Sequence, residues 1–338
     1  MNNIACNLCS SISFKHYLRV KERIFRREYF DILECEKCGL LLTSPVPSKN
    51  EIGAYYPNTY AAYQPTKPPP LLSTKNSALS NFKNWLKKSV LNSYYGYYNK
   101  TDAGILNNSF FKFLAGPLKQ MFYSFPYFVE HGKVLDIGCG NGSYLFGLKE
   151  LGWDTCGVEM DKNTANAARE LLGLNIYNGN FEEIDLTPGS FDVITMWHSL
   201  EHFYDPTATL KKAYSLLKPE GIIILGLPNA ISFEARIFGK YWWAWEAPRH
   251  LYHFSGSTIT KLLANCGFSQ IKVKYPPNTN NIIFSFQLIM LRYFPTHTNL
   301  VKNIFDTDKQ LLKILLMPFV LTLSFTNQIG RMVIYGRK

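Results

Sequence analysis

The chain has 338 residues, 46% hydrophobic and 18% charged, which is enough apolar material for a full core and excludes a disordered chain. Its formal charge of +11 favours an acidic partner (nucleic acid, anionic lipid or a phosphorylated substrate) without choosing among them. The opening MNNIACNLCSSISF has neither a charged n-region nor a long apolar h-region, so the expectation is a cytoplasmic protein.

Four of the seven cysteines form two pairs, Cys6-x2-Cys9 and Cys35-x2-Cys38, separated by 25 residues. In a reducing compartment such pairs bind metal rather than form disulfides. Two knuckles supply four thiolates for a tetrahedral structural zinc with no open position, against the plainer reading of unligated buried cysteines. Residues 1–45 are therefore expected to be a zinc-binding module. Pro45, Pro47, Pro57, Pro65 and the Pro68–Pro70 run make 46–72 a linker. Residues 73–130 are basic and aromatic; KNWLKKSVL, YYGYY, FFKFL and FYSFPYF have spacings that predict amphipathic helices covering the core.

From His131 the pattern alternates. VLDIG reads as a buried strand, SYLFGLKELG as a helix ending at Gly152, and TCGVE as a second strand. A helix near Asn163–Leu172, a strand near Asn175–Tyr177, the strand FDVITMW, a helix near Pro206–Leu217 and the strand GIIILGL follow. The helix STITKLLANCGF, the strand QIKVKY and a last strand MVIYGR complete residues 131–338, with an apolar insertion over 276–330. Such alternation predicts an α/β fold: a Rossmann-like, seven-stranded, mostly parallel sheet with helices on both faces, a small N-terminal zinc module and a helical insertion before the last strand.

The glycine loop Asp136-Ile-Gly138-Cys-Gly140-Asn-Gly142 lies between the first of these strands and its helix. Glycine is required there because a side chain would block close backbone approach to a ligand at the strand's carboxyl edge. The spacing is GxGxG, not the GxGxxG of dinucleotide folds, which argues against NAD. Glu159 ends the second strand 23 residues after Asp136, where a carboxylate can accept from both hydroxyls of a ribose. Asp136 reads either as a ligand-facing acid or as an acid fixing the glycine loop. VLDIGCGNG, the acid ending the second strand, FDVI and a Leu217–Gly221 turn resemble class I S-adenosylmethionine-dependent methyltransferases over about Lys133–Asn229. That resemblance implies S-adenosylmethionine bound by Asp136, Gly138, Gly140, Gly142, Glu159, Asn180 and Phe181. Asn180 stands where the family usually has an acid facing the adenine amine, and its amide oxygen can still accept. The stretch CEKCGLLLTSPVPSKNEIGAYYPNTY is similar to the zinc-binding region of sugar- and polysaccharide-pathway methyltransferases.

His198-Ser-Leu-Glu201-His202 follows the fourth strand and spells H-x-x-E-H, but a metallopeptidase needs that string on a helix, and here it follows a strand. Glu201-His202 resembles the EH pair of ubiquinone-type O-methyltransferases; some relatives bind a divalent metal with E-x-x-E-H, and His198 in the first position argues against magnesium. After the fifth strand, Trp242-Trp243-Ala-Trp245-Glu246-Ala-Pro248-Arg249-His250-Leu-Tyr252-His253-Phe254 reads as an acceptor-facing loop or as a loop pinned by tryptophan packing. Methyl transfer needs alignment more than covalent help, and a base only for a protonated acceptor. His250, His253 and His202 are the candidates, in that order, with Arg249 and aromatic faces holding a ring or an anion.

The expected activity is methyl transfer to a small-molecule, glycan or lipid-linked acceptor. The alternatives are a nucleic-acid methyltransferase, disfavoured because no (D/N/S)PP(Y/F/W) tetrapeptide follows the fourth strand, and a non-catalytic S-adenosylmethionine-binding module. In the insertion, Ile282–Leu291 and Ile314–Phe325 are apolar but too short to span a bilayer, and Pro318 should kink the second. With the flanking bases they read either as a surface meeting anionic lipid at the inner membrane face or as a cap buried on the sheet edge or on a second copy of the chain.

Overall fold

The computed structural model describes residues 5–23, 28–56, 64, 68, 70–72, 77–97 and 122–338. Two sheets organise it. A four-stranded sheet has the order β1-β2-β3-β9, from Phe14–Lys21, Tyr29–Cys35, Leu41–Ser44 and Tyr252–His253. A seven-stranded sheet has the order β10-β11-β8-β7-β4-β5-β6. Its strands are β4 (Lys133–Ile137), β5 (Asp154–Glu159), β6 (Asn175–Asn178), β7 (Phe191–Trp197), β8 (Leu217–Pro228), β10 (Ser269–Lys274) and β11 (Arg331–Arg337). β4 pairs in parallel with β5 and β7, and β5 with β6. This is the α/β, Rossmann-like, mostly parallel sheet that the alternating pattern predicts.

Among the described residues the α-helices are α1 (Ala78–Tyr95), α2 (Ser143–Glu150), α3 (Lys162–Leu172), α4 (Pro206–Leu216), α5 (Phe233–Phe238), α6 (Gly256–Asn265), α7 (Asn280–Tyr293), α8 (Thr298–Ile304) and α9 (Gln310–Phe325). Asp161 caps α3 by accepting from Thr164 N at 2.8 Å, and Ser255 caps α6 within a reciprocal capping box. Gly173, in the left-handed region, closes α3.

Two expectations are corrected. FYSFPYF is not an amphipathic helix: a turn over 122–124 gives way to irregular chain through Pro126, whose ring cannot continue a helix. The expected turn at Leu217–Gly221 lies inside β8, where Glu220 takes up the bend at φ 64°. α1 contains KNWLKKSVL and stops at Tyr95 because Gly96 is left-handed, so YYGYY is a helix end; FFKFL lies outside the described residues.

The chain forms two compact units. One comprises 58–197, 212–225 and 335–338, with Val134, Leu135, Ile137, Leu145, Val193 and Ile194 buried at its centre. The other comprises 1–57, 198–211 and 226–334. Its core joins Phe30, Ile32 and Leu41 of the small sheet to Trp242, Trp245, Ile282, Val320 and Leu323. Each buried aliphatic side chain contributes roughly 1.5–3 kcal/mol.

Candidate functional site: a glycine-loop pocket and a histidine cluster

At the carboxyl edge of β4 the chain turns sharply, with Gly138, Gly140 and Gly142 at φ 76°, 53° and 75°. L-residues avoid this region, which explains three glycines in five positions. The loop is tied to β5: Gly138 N and Cys139 N donate to Val158 O at 2.8 and 3.0 Å, and Gly140 N donates to Glu159 Oε2 at 2.9 Å. The other oxygen of Glu159 accepts from Asp161 N at 2.9 Å. Asn178 Nδ2 donates to Glu159 O at 3.0 Å and so fixes the strand end that carries this acid.

Asp136 is buried, and the Thr195 hydroxyl donates to its Oδ1 at 2.7 Å. The loop amides go to Val158 and Glu159, so Glu159, not Asp136, is the acid that fixes the glycine loop. Burial pushes the Asp136 carboxyl up to about 7; Thr195 opposes the shift and Glu159 adds to it. Burial likewise raises Glu159, and the amides of Asp161 and Gly140 oppose it. A buried acid pair with one hydroxyl and two amides as partners suits a ligand that brings hydroxyl donors and positive charge.

Asp136, Gly138, Cys139, Gly140, Asn141, Ser143, Tyr144 and Trp197 line a cleft of about 240 Å³. Tyr144 and Trp197 meet edge-to-face at 5.4 Å, and the Tyr144 hydroxyl donates to Ser124 O at 2.7 Å. Sequence reasoning missed this aromatic wall, although Trp197 ends a strand at the same carboxyl edge as the glycine loop. Asn141 Oδ1 accepts from the Ser143 amide and hydroxyl at 3.1 and 2.8 Å and so opens α2. Asn180 Oδ1 accepts from Glu182 N at 3.3 Å and keeps a lone pair for a further donor. Phe181 is buried, with the Lys212 ammonium 4.9 Å from its ring centre.

The other unit holds the three candidate histidines, His202, His250 and His253. His250 is buried, and its Nδ1 is 2.9 Å from Ala244 O. A carbonyl only accepts, so Nδ1 carries the proton and Nε2 keeps a lone pair. That Nε2 is 3.8 Å from Glu246 Oε2 and 3.9 Å from Glu201 Oε1. Burial first, then His202, lowers the imidazole to about 4 despite both carboxylates. His202 Nδ1 is 2.9 Å from Arg249 O, which fixes the same tautomer, and 2.9 Å from the Tyr56 hydroxyl. Glu201 is fully buried; neither oxygen accepts a hydrogen bond of normal geometry, with His198 Nδ1 at 3.4 Å. Opposing its desolvation, His198 and the other imidazoles hold the carboxyl down to about 2.

His253 differs. The Thr43 hydroxyl donates to His250 O at 2.7 Å, so Thr43 Oγ1 accepts from His253 Nε2 at 3.0 Å, and the ring pins β9 to β3. Arg249 is not free for an anion: it is buried, 3.4 Å from Glu22 and from Glu246, and donates to Tyr55 O at 3.1 Å. Trp242 and Trp245 are fully buried, so these two tryptophans are core. His198 follows β7 at φ 52° and His202 lies on a single 3-10 turn, so H-x-x-E-H is not on a helix here.

The four N-terminal cysteines converge in the same unit. Cys6 and Cys38, and Cys9 and Cys35, are 3.5 Å apart at sulfur, and all four sulfurs lie within 4.8 Å of one another. A disulfide would need about 2.05 Å, whereas a ZnS4 tetrahedron with bonds near 2.3 Å has edges of about 3.8 Å. Both knuckles share one turn: Ser10 N donates to Cys6 O and Gly39 N to Cys35 O, each at 2.8 Å, with Ser10 and Gly39 at φ 57° and 75°. Asn7, inside the first knuckle, accepts from Thr207 N at 3.1 Å and donates to Asp205 at 2.9 Å.

Residues 110–273 match a family model described as a methyltransferase domain. A probable S-adenosylmethionine-dependent methyltransferase of Mycolicibacterium smegmatis is 26% identical over 139 residues, 40% of this chain and 51% of the relative. A ubiquinone biosynthesis O-methyltransferase of Colwellia psychrerythraea is 32% identical over 103 residues, 29% of this chain and 42% of the relative. The chain thus spans about half the length of these curated relatives. A solved structure of an S-adenosylmethionine-dependent methyltransferase from Thermotoga maritima, described as a possible histamine N-methyltransferase, is 20% identical at a TM-score of 0.42, covering 76% of this chain and 97% of that one. Residues 110–273 are thus similar to a methyltransferase domain.

Isothermal titration with S-adenosylmethionine checks the pocket. Glu159→Ala should weaken binding by about 10- to 150-fold, the equivalent of a charge-assisted hydrogen bond worth roughly 1.5–3 kcal/mol. Gly140→Val, strained in the left-handed region, should abolish it with the thermal melt retained. Unchanged affinity in both variants would contradict the assignment.

Proposed function

We propose that the protein is an S-adenosylmethionine-dependent methyltransferase acting on a small polar molecule, a glycan or a lipid-linked intermediate. The observation that carries this reading is the buried pair Asp136 and Glu159 around a left-handed glycine loop, with no cation in ion-pair contact with either acid among the described residues. Glu159 would receive the ribose hydroxyls, and the backbone of Gly138, Gly140 and Gly142 would allow close approach. Asp136 would sit near the amino-acid end and balance its charge, while Asn180 and Phe181 would border the adenine. When bound, S-adenosylmethionine supplies a methyl group on a sulfonium, activated toward an acceptor's lone pair.

His250 is the proposed general base. Its Nδ1 proton is held by Ala244 O, its Nε2 lone pair is unprotonated at neutral pH, and Glu246 and Glu201 lie on the side where the new positive charge would form. His202 is oriented by a carbonyl in the same way and stands second; His253 is third, because its Nε2 proton is engaged by Thr43. The unpartnered oxygens of Glu201 favour an acceptor rich in hydroxyl or amino donors, which suits a sugar and, with the N-terminal resemblance, polysaccharide biosynthesis. Among the described residues no helix is long and apolar enough to cross a membrane, and the proposed setting is the cytoplasm, including its membrane face.

Cys6, Cys9, Cys35 and Cys38 are proposed to hold one structural zinc, joining the two knuckle turns. Elemental analysis of freshly purified protein should give one zinc per chain, and Cys35→Ser should lose it. Protein without zinc would overturn this part.

Release of S-adenosylhomocysteine with nucleotide sugars and lipid-linked glycans as acceptors tests the activity. Because the base form of His250 is required, kcat/KM should be flat through pH 5–7 and fall about tenfold per unit below about 4. His250→Gln should lose at least 100-fold and the acid limb with it. Tight cofactor binding with no turnover on any acceptor would contradict an enzyme, and an acid limb surviving in His250→Gln would contradict this base.

A further inference from the structure

We propose that the outer face of α8 and α9 docks on an anionic lipid bilayer. α9 reads QLLKILLMPFVLTLSF, with no acidic residue and Lys313 as its one base. A helix apolar all round belongs in a core or in lipid, yet only Val320 and Leu323 are buried. Leu311, Ile314, Leu315 and Phe325 are 70%, 65%, 68% and 91% exposed. Leu311, Leu315, Pro318, Thr322 and Phe325 recur at helical spacing, so they form a single outward stripe. Leu300 and Ile304 of α8 are exposed as well, at 55% and 48%. A cap that buries Ile314–Phe325 on the sheet edge is therefore not what forms. Single exposed apolar residues are ordinary, but a contiguous stripe of this kind marks an interaction surface.

The charge selects the occupant. Across 276–330 the bases are Arg292, Lys302, Lys309 and Lys313 and the acids Asp306 and Asp308, a net +2 in a chain of +11. Lys309 is the exposed N-cap of α9 and Lys313 lies in its first turn, so the bases gather at the N-terminal end of the helix rather than on the stripe. A chain of +11 repels a second copy of itself, whereas anionic headgroups attract it. A helix of 16 residues is about 24 Å long, short of the roughly 30 Å hydrocarbon core, so it lies in the interface plane. Beside it, Phe233, Ile237, Ile282, Phe286, Ile289 and Phe319 line an open apolar cleft of about 230 Å³, wide enough for part of an acyl chain to enter.

Flotation of the full chain with phosphatidylcholine vesicles and with phosphatidylcholine/phosphatidylglycerol vesicles tests the proposal, and it needs neither cofactor nor acceptor. The protein should float with the anionic vesicles at low salt and much less with the zwitterionic ones. Leu311→Glu/Leu315→Glu/Phe325→Glu should lower partition at least tenfold with an unchanged melting temperature, since these side chains face solvent. Lys309→Gln and Lys313→Gln should each cost about fivefold, the ratio that corresponds to ~1 kcal/mol per base near an anionic surface. Wild-type protein left wholly in the soluble fraction at low salt would overturn the proposal. With a concentration-dependent dimer in sedimentation velocity, that result would assign the stripe to a second copy. Equal flotation of the triple variant would also overturn it.

Discussion

One buried carboxylate organises the cofactor half of the molecule. Glu159 accepts Gly140 N on one oxygen and Asp161 N on the other, so the loop after β4 and the turn after β5 share a single anchor. Charge-assisted bonds of this kind are worth roughly 1.5–3 kcal/mol each, comparable to the cost of holding a residue in the left-handed region. Glycine at 138, 140 and 142 removes most of that cost; Gly138 and Gly140 line the cleft, while at Gly142 a Cβ would collide with Leu174. Asp136 follows from the same arrangement: with the amides of Gly138, Cys139 and Gly140 taken by β5, its hydrogen bond comes from Thr195.

The histidine cluster depends on a different kind of constraint. Two backbone carbonyls, Ala244 O and Arg249 O, choose the tautomers of His250 and His202, so that each ring keeps a lone pair on Nε2. Those carbonyls are placed by a loop whose interior is Trp242, Trp245 and the Arg249–Glu22 pair, and whose end is pinned to β3 through Thr43 and His253. The small sheet and its cysteine knuckles are thus continuous with the support of these imidazoles, and the aromatic composition of the loop belongs to its packing.

The parts legible in the sequence were those with local chemistry. GxGxG after a buried run, an acid 23 residues later and two CxxC pairs each state a geometry within a few residues, and the strands of the large sheet follow from apolar runs. Other features arise only in three dimensions. Ser10 matches Gly39 in conformation with no glycine to signal it. Tyr144 and Trp197 meet across the cleft from separate elements. Arg249 looks available for an anion until Glu22, 227 residues earlier in the chain, is seen beside it. FYSFPYF carried a helical spacing of aromatics that Pro126 overrode.

A crystal structure with S-adenosylhomocysteine bound measures the central claim most directly. Both ribose hydroxyls should lie within hydrogen-bonding distance of Glu159, and the amino-acid end beside Gly138 and Asp136. A ligand seated elsewhere, or one whose ribose makes no contact with Glu159, would contradict it.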